Sequence, residues 1–362
     1  MPNGHILITG ASGLVGRAAM EHFARGGYRV TAVSRRRPFD TYGATWHSVD
    51  LADEAACRDT FGGMGGVTQI VFAALHEEPE LVAGWTQQKH VDRNGAMLRN
   101  TLEPVAKTAK GLKNVTILQG PKAYGVHVKP LRPGAREDRD EDRTIPNFYW
   151  AQEDYLKDRQ HGQGWGWTVM RPALVVGECI GGAMNLIAAL GVYAALLKAK
   201  GQPLHYPGGN GALLEATDTD LMAHAFEWAG SSDAAQNQTF NLTNGELFSL
   251  KDQWPVIAEC LGMAVGDDIP LGFEDELPRE AAAWDRIRSD ANLIAPDMAA
   301  YLGQSLQFAD FVLARTYKGP VSASSVSSIK IRQAGFNDCL YTDAMLRKWF
   351  ARYQADLLLP SV

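Results

Sequence analysis

Short apolar runs rich in β-branched residues recur through the first half of the chain: HILIT at 5–9, YRVTAV at 28–33, QIVFAAL at 69–75, NVTILQ at 114–119 and WTVMRPALVV at 167–176. Between them, apolar residues fall three and four positions apart, the spacing of a helix with one buried stripe. Strand and helix in regular alternation predict a parallel sheet covered by helices on both faces. A shorter strand is expected at Trp46 to Val49. After Gly177 the alternation fades into a long helical stretch from Met184 to Lys200, a Gly/Pro turn from Pro207 to Gly211 and a mostly helical remainder. One late run, Gln238 to Leu242, reads as a strand returning to the sheet. The expected fold is therefore α/β, a doubly wound parallel sheet over residues 1–178 with a returning segment near 215–245. Residues 179–362 form a smaller, mostly helical C-terminal part.

Composition narrows the classes of function. In 362 residues, 46% hydrophobic and 21% charged is a globular balance that can fill a sizeable core. The formal net charge of −6 and the scattered Lys and Arg residues offer no basic face, which argues against nucleic acid as a partner. Cys57, Cys179, Cys260 and Cys339 stand far apart and form no CxxC or Cys/His cluster, so neither a disulfide framework nor a metal site is expected. No basic-then-apolar leader precedes Ile6, and the apolar run Leu186 to Leu197 is too short for a bilayer. The expectation is a cytoplasmic protein without membrane contact. The charge run Arg136 to Arg143 reads as a solvated loop.

The most informative segment is Thr9-Gly10-Ala11-Ser12-Gly13-Leu14-Val15-Gly16, between a buried strand and the amphipathic stretch Arg17 to Arg25. Gly10 permits a tight turn, Gly13 lets backbone approach a pyrophosphate, and Gly16 lets helix pack on strand. The helix N-terminus supplies N–H donors and partial positive charge. This is the pattern of a Rossmann-type dinucleotide site. The second strand ends in Ser34-Arg35-Arg36-Arg37, where an NAD-preferring protein places an acid, and arginines there suit the 2′-phosphate of NADPH. Asp50 and Leu51 are placed at the adenine edge, and the small Ala73 and Ala74 at the cofactor's path past the fourth strand.

GASGLVG is similar to the short-chain dehydrogenase/reductase superfamily, whose usual signature is Tyr-x-x-x-Lys behind a Ser or Thr. None of the eleven tyrosines is followed by lysine at the fourth position. After the fifth strand, Gln119-Gly120-Pro121-Lys122-Ala123-Tyr124-Gly125 has glycine where the hydroxyl residue would stand and offers Lys122 instead. Further on, Pro146-Asn147-Phe148-Tyr149-Trp150-Ala151-Gln152-Glu153-Asp154 opens a helix.

These segments resemble the progesterone 5β-reductase and iridoid synthase-like family of extended short-chain dehydrogenases/reductases, marked by Lys-His-Tyr-x-Gly-Pro and Asn-Phe-Tyr-Tyr-x-x-Glu-Asp. The likeness extends through Val91 to Asn100, Arg171-Pro172 with Gly177, Met184-Asn185, Ala216 to Leu221, and Lys348-Trp349-Phe350. It implies an oxidoreductase that reduces the C=C bond of an enone or enal with NADPH, hydride arriving at the β-carbon, with 3-oxo-Δ4-steroids among the possible substrates. Carried over, the catalytic pair is Tyr149 and Lys122, which also touch cofactor, with Gln119, Gly120, Pro172 and Val175 as further cofactor positions. A phenol in reach of the carbonyl oxygen would stabilise the dienolate, and Lys122 would hold the ribose and lower the phenol's pKa.

The chain departs from the plant pattern after Lys122, where Ala123 replaces a histidine and Val128 stands near an aromatic position of the steroid pocket. Trp150 replaces the helix's second tyrosine. His127 reads equally as a substrate contact or a surface residue. The substrate wall is expected from Val128, Met184, Tyr193 and Phe336, with Leu190, Ala194 and Leu197 on the same helical stripe, and an apolar lining would suit a small apolar enone. Carbonyl reduction or nucleotide-sugar epimerisation on the same core is the alternative chemistry. A non-catalytic NADP-binding regulator is the alternative class. The sequence is compatible with a homodimer and does not fix the oligomeric state.

Overall fold

The computed structural model describes residues 4–78, 84–209, 212–314 and 324–362. They divide into two compact units, Met1–Ala173 with Thr219–Thr243 and Val326–Asp338, and Leu174–Asp218 with Asn244–Ser325 and Cys339–Val362.

The first unit is built on strands β1 (His5–Thr9), β2 (Arg29–Ser34), β3 (Thr45–Ser48), β4 (Gln69–Phe72), β5 (Asn114–Leu118) and β6 (Gly166–Pro172). With the return strand Gln238–Leu242 they make one seven-stranded sheet in the order return strand, β6, β5, β4, β1, β2, β3. Every neighbouring pair is parallel. The chain order reverses direction beside β1, which places the ends of β1 and β4 at the topological switch point where ligands bind in such sheets. Helix α1 (Leu14–Arg25) and the helix Thr219–Ser231 pack together and bury Met20, Phe23, Ala225 and Phe226. The helices Glu54–Phe61, Gln88–Thr108 and Phe148–Gln160 form a second packed group, around Phe61, Leu98, Leu102 and Leu156 with Leu7, Ile70, Val115 and Val169 of the sheet.

The run 167–176, read from the sequence as one strand, is two. Gly166–Pro172 pairs with β5 and the return strand, whereas Leu174–Val176 pairs with Leu214–Asp218 in the second unit. Pro172 has no N–H to continue a ladder, so the pairing can change partners at Ala173.

The charge run Arg136 to Arg143 is also more than a solvated loop. Arg136 and Arg139 pair with Asp138 and Asp140 at the surface. Glu137, however, accepts the Asn241 backbone N–H at 2.6 Å, and Glu141 pairs with buried Arg171 at 2.7 Å. Its two glutamates fasten the segment to the sheet.

In the second unit Leu174–Val176, Leu214–Asp218 and Leu247–Phe248 form a three-stranded sheet, and Leu204–Tyr206 pairs with Val265–Asp268. The expected long helix is Leu186–Ala199, opened by Asn185, whose side chain accepts from the Ala188 N–H. It lies in a core with Trp254, Phe273, Trp284, Tyr301, Trp349 and Tyr353. Asn210 and Gly211, the end of the expected Gly/Pro turn, lie outside the described residues.

Candidate active site

The glycine loop follows directly on β1. Gly10 has φ +70, and a Cβ there would come within 2.5 Å of the Ala73 carbonyl oxygen. A Cβ on Gly16 would lie 2.2 Å from the Gly10 oxygen. Any side chain at either position would force backbone apart, so glycine is obligatory where β1, β4 and α1 converge. Gly13 differs: its Cβ would meet only the Gly10 oxygen, at 3.4 Å, and its outer side is open. Gly13 caps α1 without any side-chain hydrogen bond, so the N–H groups of Leu14 and Val15 lack the cap that Ser, Thr or Asp would provide. An uncapped helix N-terminus at the switch point fits a pyrophosphate, and these residues with Ser12 would hold it.

At the end of β2 the Ser34 hydroxyl donates to the Arg36 carbonyl at 2.6 Å and accepts from Trp46 Nε1 at 3.0 Å. That side chain shapes the turn. Arg35 and Arg36 are exposed, while Arg37 stacks on Trp46 with its guanidinium carbon 5.7 Å from the ring centre. Asp50 is exposed and Leu51 is buried in the core beneath it. Arg93, 3.7 Å from Asp50, escaped assignment in the sequence, where it lay inside a helical motif. Burial, with Arg93 and Arg35 as neighbouring cations, lowers the pKa of His76.

The polar floor of the site joins three strands. Arg171 Nε on β6 donates to Gln119 Oε1 at 2.7 Å, and Gln119 Nε2 donates to Glu153 Oε2 at 2.8 Å. Arg171 also donates to the Tyr124 hydroxyl at 3.3 Å, and that hydroxyl donates to Asn241 Oδ1 on the return strand. Tyr124, adjacent to Lys122 and a conceivable acid, is therefore a structural residue with its hydroxyl occupied. The Gln119 side chain likewise serves the floor.

Tyr149 stands on that floor. Asn147 caps the helix Phe148–Gln160 by accepting the Tyr149 backbone N–H at 3.1 Å, one residue beyond Pro146, and so fixes the phenol's starting point. The ring packs edge-on to Phe148, with centroids 4.6 Å apart, and is buried. A Cβ on Gly120 would lie 3.3 Å from the Tyr149 hydroxyl oxygen and 3.4 Å from the Pro172 carbonyl. Glycine at the position of the usual Ser or Thr therefore leaves the phenol oxygen uncrowded. Among the described residues that hydroxyl makes no hydrogen bond. Burial and the charge of Glu77 push the phenol's pKa well above its ordinary 10. It is a proton-bearing donor.

Lys122 lies in the short 3-10 turn Pro121–Tyr124, which Gly125 ends at φ +86. Its ammonium is 3.9 Å from the Trp85 ring centre and 5.8 Å from that of Tyr149. Burial lowers its pKa from the ordinary 10.5, opposed by Glu77. The phenol's pKa stands above its ordinary value here, burial being the first cause.

The structure brings Lys122, Tyr149, Gln119, Gly120 and Pro172 together in the first unit. Val128 is 57% exposed, so it packs little. Phe336 is buried against Trp228, 5.7 Å between ring centres. Val175, Met184 and Tyr193 belong to the second unit, where Tyr193 is buried, lies tilted against Phe273 with ring centres 5.0 Å apart and donates to the His205 carbonyl at 3.1 Å. His127 is half-buried, and neither ring nitrogen has a partner among the described residues. No group of three or more His, Cys, Asp or Glu side chains among the described residues can hold a metal ion. No helix among them is long and apolar enough to cross a membrane.

The NAD dependent epimerase/dehydratase family model matches residues 6–242, from the first strand to the last of the sheet. The chain belongs to that family. Within it the chain is 30% identical to (S)-8-oxocitronellyl enol synthase of Nepeta racemosa, covering 79% of this chain and 76% of the relative. It is 27% identical to 3-oxo-Delta(4,5)-steroid 5-beta-reductase of Arabidopsis thaliana, covering 98% and 92%. These place it in the progesterone 5β-reductase and iridoid synthase-like group of extended short-chain dehydrogenases/reductases. UDP-glucose 4-epimerases of Thermotoga maritima (TM-score 0.67, 17% identity, 98% and 99% covered) and Thermus thermophilus (0.65, 17%, 97% and 99%) share the fold. The protein is an oxidoreductase of the extended family with a nicotinamide dinucleotide as cofactor.

Proposed function

We propose that the protein reduces the C=C bond of activated enones and enals by 1,4-addition with NADPH, small apolar enones being the substrate class and 3-oxo-Δ4-steroids candidates within it. The supporting observation is the Tyr149 hydroxyl: buried, proton-bearing, without a partner among the described residues and facing the space that Gly120 leaves open. Bound NADPH supplies the hydride to the β-carbon. The π electrons of the double bond then collect on the carbonyl oxygen, where Tyr149 donates a hydrogen bond to the enolate, and the α-carbon takes its proton from solvent. Lys122 places its ammonium 5.8 Å from the phenol ring centre, and it would hold the cofactor's ribose. The exposed Arg35 and Arg36 would hold the 2′-phosphate.

The test is NADPH consumption with cyclohexenone, progesterone and an aliphatic enal, with products identified. Saturated ketone or aldehyde is expected. Allylic alcohol as the only product would instead make the protein a carbonyl reductase. Tight NADPH binding without turnover across a wide panel would make it a cofactor-binding regulator.

A further inference from the structure

Lys122 is flanked by an arrangement that neither the glycine loop nor Tyr149 explains. Trp85 Nε1 donates to Glu77 Oε2 at 3.1 Å, and the opposite resource of the same indole, its π face, carries the Lys122 ammonium at 3.9 Å. Glu77 has a side chain only 5% exposed, and its other oxygen, Oε1, is buried without a partner among the described residues. His90 Nε2 lies 3.3 Å from Glu77 Oε2. A carboxylate that accepts the indole N–H makes the ring face more negative, which strengthens its hold on a cation. The same carboxylate supplies a long-range opposite charge to a partly buried ammonium.

From this geometry we propose that Glu77 and Trp85 are positioning residues for Lys122, a carboxylate–indole–ammonium chain that keeps the lysine charged and beside Tyr149. Among the described residues, the groups facing the ammonium are Glu77 with its neighbour His90, Trp85, His127 and Tyr149. Of these only Glu77 is an anion. Burial first, and the Lys122 charge second, lower the pKa of His127, which favours the uncharged ring. The catalytic meaning rests on the proposed enone reduction, but the positioning itself can be measured without turnover.

The experiment is competitive labelling of Lys122 with acetic anhydride across pH, the modified peptide being quantified by mass spectrometry in the whole protein. Glu77→Gln removes the one anion that faces the ammonium among the described residues, and the neutral amine fraction near pH 8 should rise by about tenfold, one unit of pKa. Glu77→Asp should recover part of the difference. Glu78→Gln, whose carboxylate instead meets Lys89 and His76, should leave Lys122 labelling at the wild-type rate. Should Glu77→Gln not fold, Trp85→Phe carries the same test, since it keeps a ring and deletes the N–H, and labelling should again accelerate.

With an enone that turns over, the alkaline limb of kcat/KM should move to lower pH in Glu77→Gln by the same amount. A labelling profile identical to wild type in Glu77→Gln and Trp85→Phe would overturn the proposal even if enones are reduced. Shifted labelling in a protein that reduces no enone would uphold it and sink the reductase reading.

Discussion

Replacing Tyr149 by Phe isolates one hydroxyl. The ring's edge-on contacts with Phe148 at 4.6 Å and Trp150 at 6.5 Å do not involve it, and the Asn147 cap holds the backbone N–H and not the side chain. The hydroxyl makes no hydrogen bond within the described protein, so its removal should change stability by less than about 1 kcal/mol, read as a melting shift of a few degrees at most. The catalytic loss is different in size. A single preorganised donor to an oxyanion is worth about 10²–10³ in kcat, roughly 2.7–4 kcal/mol, and NADPH affinity should hardly move. Stopped-flow hydride transfer on a saturating enone, with NADPH titrated by fluorescence, separates the two effects. The pH profile adds a sign. Burial holds the phenol's pKa well above 10, so Tyr149 stays protonated throughout the assay range and contributes no limb there. Lys122 is depressed below 10.5 by burial, so the alkaline fall in rate belongs to its deprotonation and should survive in Tyr149→Phe. Full activity of Tyr149→Phe, or loss of its alkaline limb, would refute this division of roles.

Alanine at both Arg35 and Arg36 should narrow the preference for NADPH over NADH by about 1–3 kcal/mol, seen as the ratio of the two dissociation constants; equal use of NADH by the wild type would remove the phosphate-fork reading. Gly120→Ala sets a methyl 3.3 Å from the Tyr149 oxygen, and kcat should fall about tenfold from the displaced phenol with a smaller change in melting temperature. Tyr124→Phe strips Asn241 and Arg171 of a buried partner, and chemical denaturation should show a loss of about 1–3 kcal/mol while NADPH affinity stays near wild type.

Local pattern alone determined the alternating strands, the glycine loop and the start of α1, because each depends on residues within a few positions of one another. The period of a strand is visible in five residues, and Gly10 and Gly16 are required by contacts that follow whenever strand, turn and helix occur in that order. The absence of Tyr-x-x-x-Lys was legible too, and pointed to Lys122 and Tyr149 through the resemblance of their flanking motifs. Only the tertiary structure decided that Pro172 ends one sheet and Leu174 begins another, since that depends on which distant strands offer free edges. It also decided the fate of polar residues. Glu137 and Glu141 read as surface charge until Asn241, 104 positions away, and Arg171, 30 positions away, arrive to receive them. Tyr124, two positions from Lys122, gives its hydroxyl to Asn241, a partner that no local pattern reveals. Glu77 and Trp85 are unremarkable in one dimension. A charge in water is cheap and a charge out of water needs a partner, and which of these a side chain meets is settled by long-range packing.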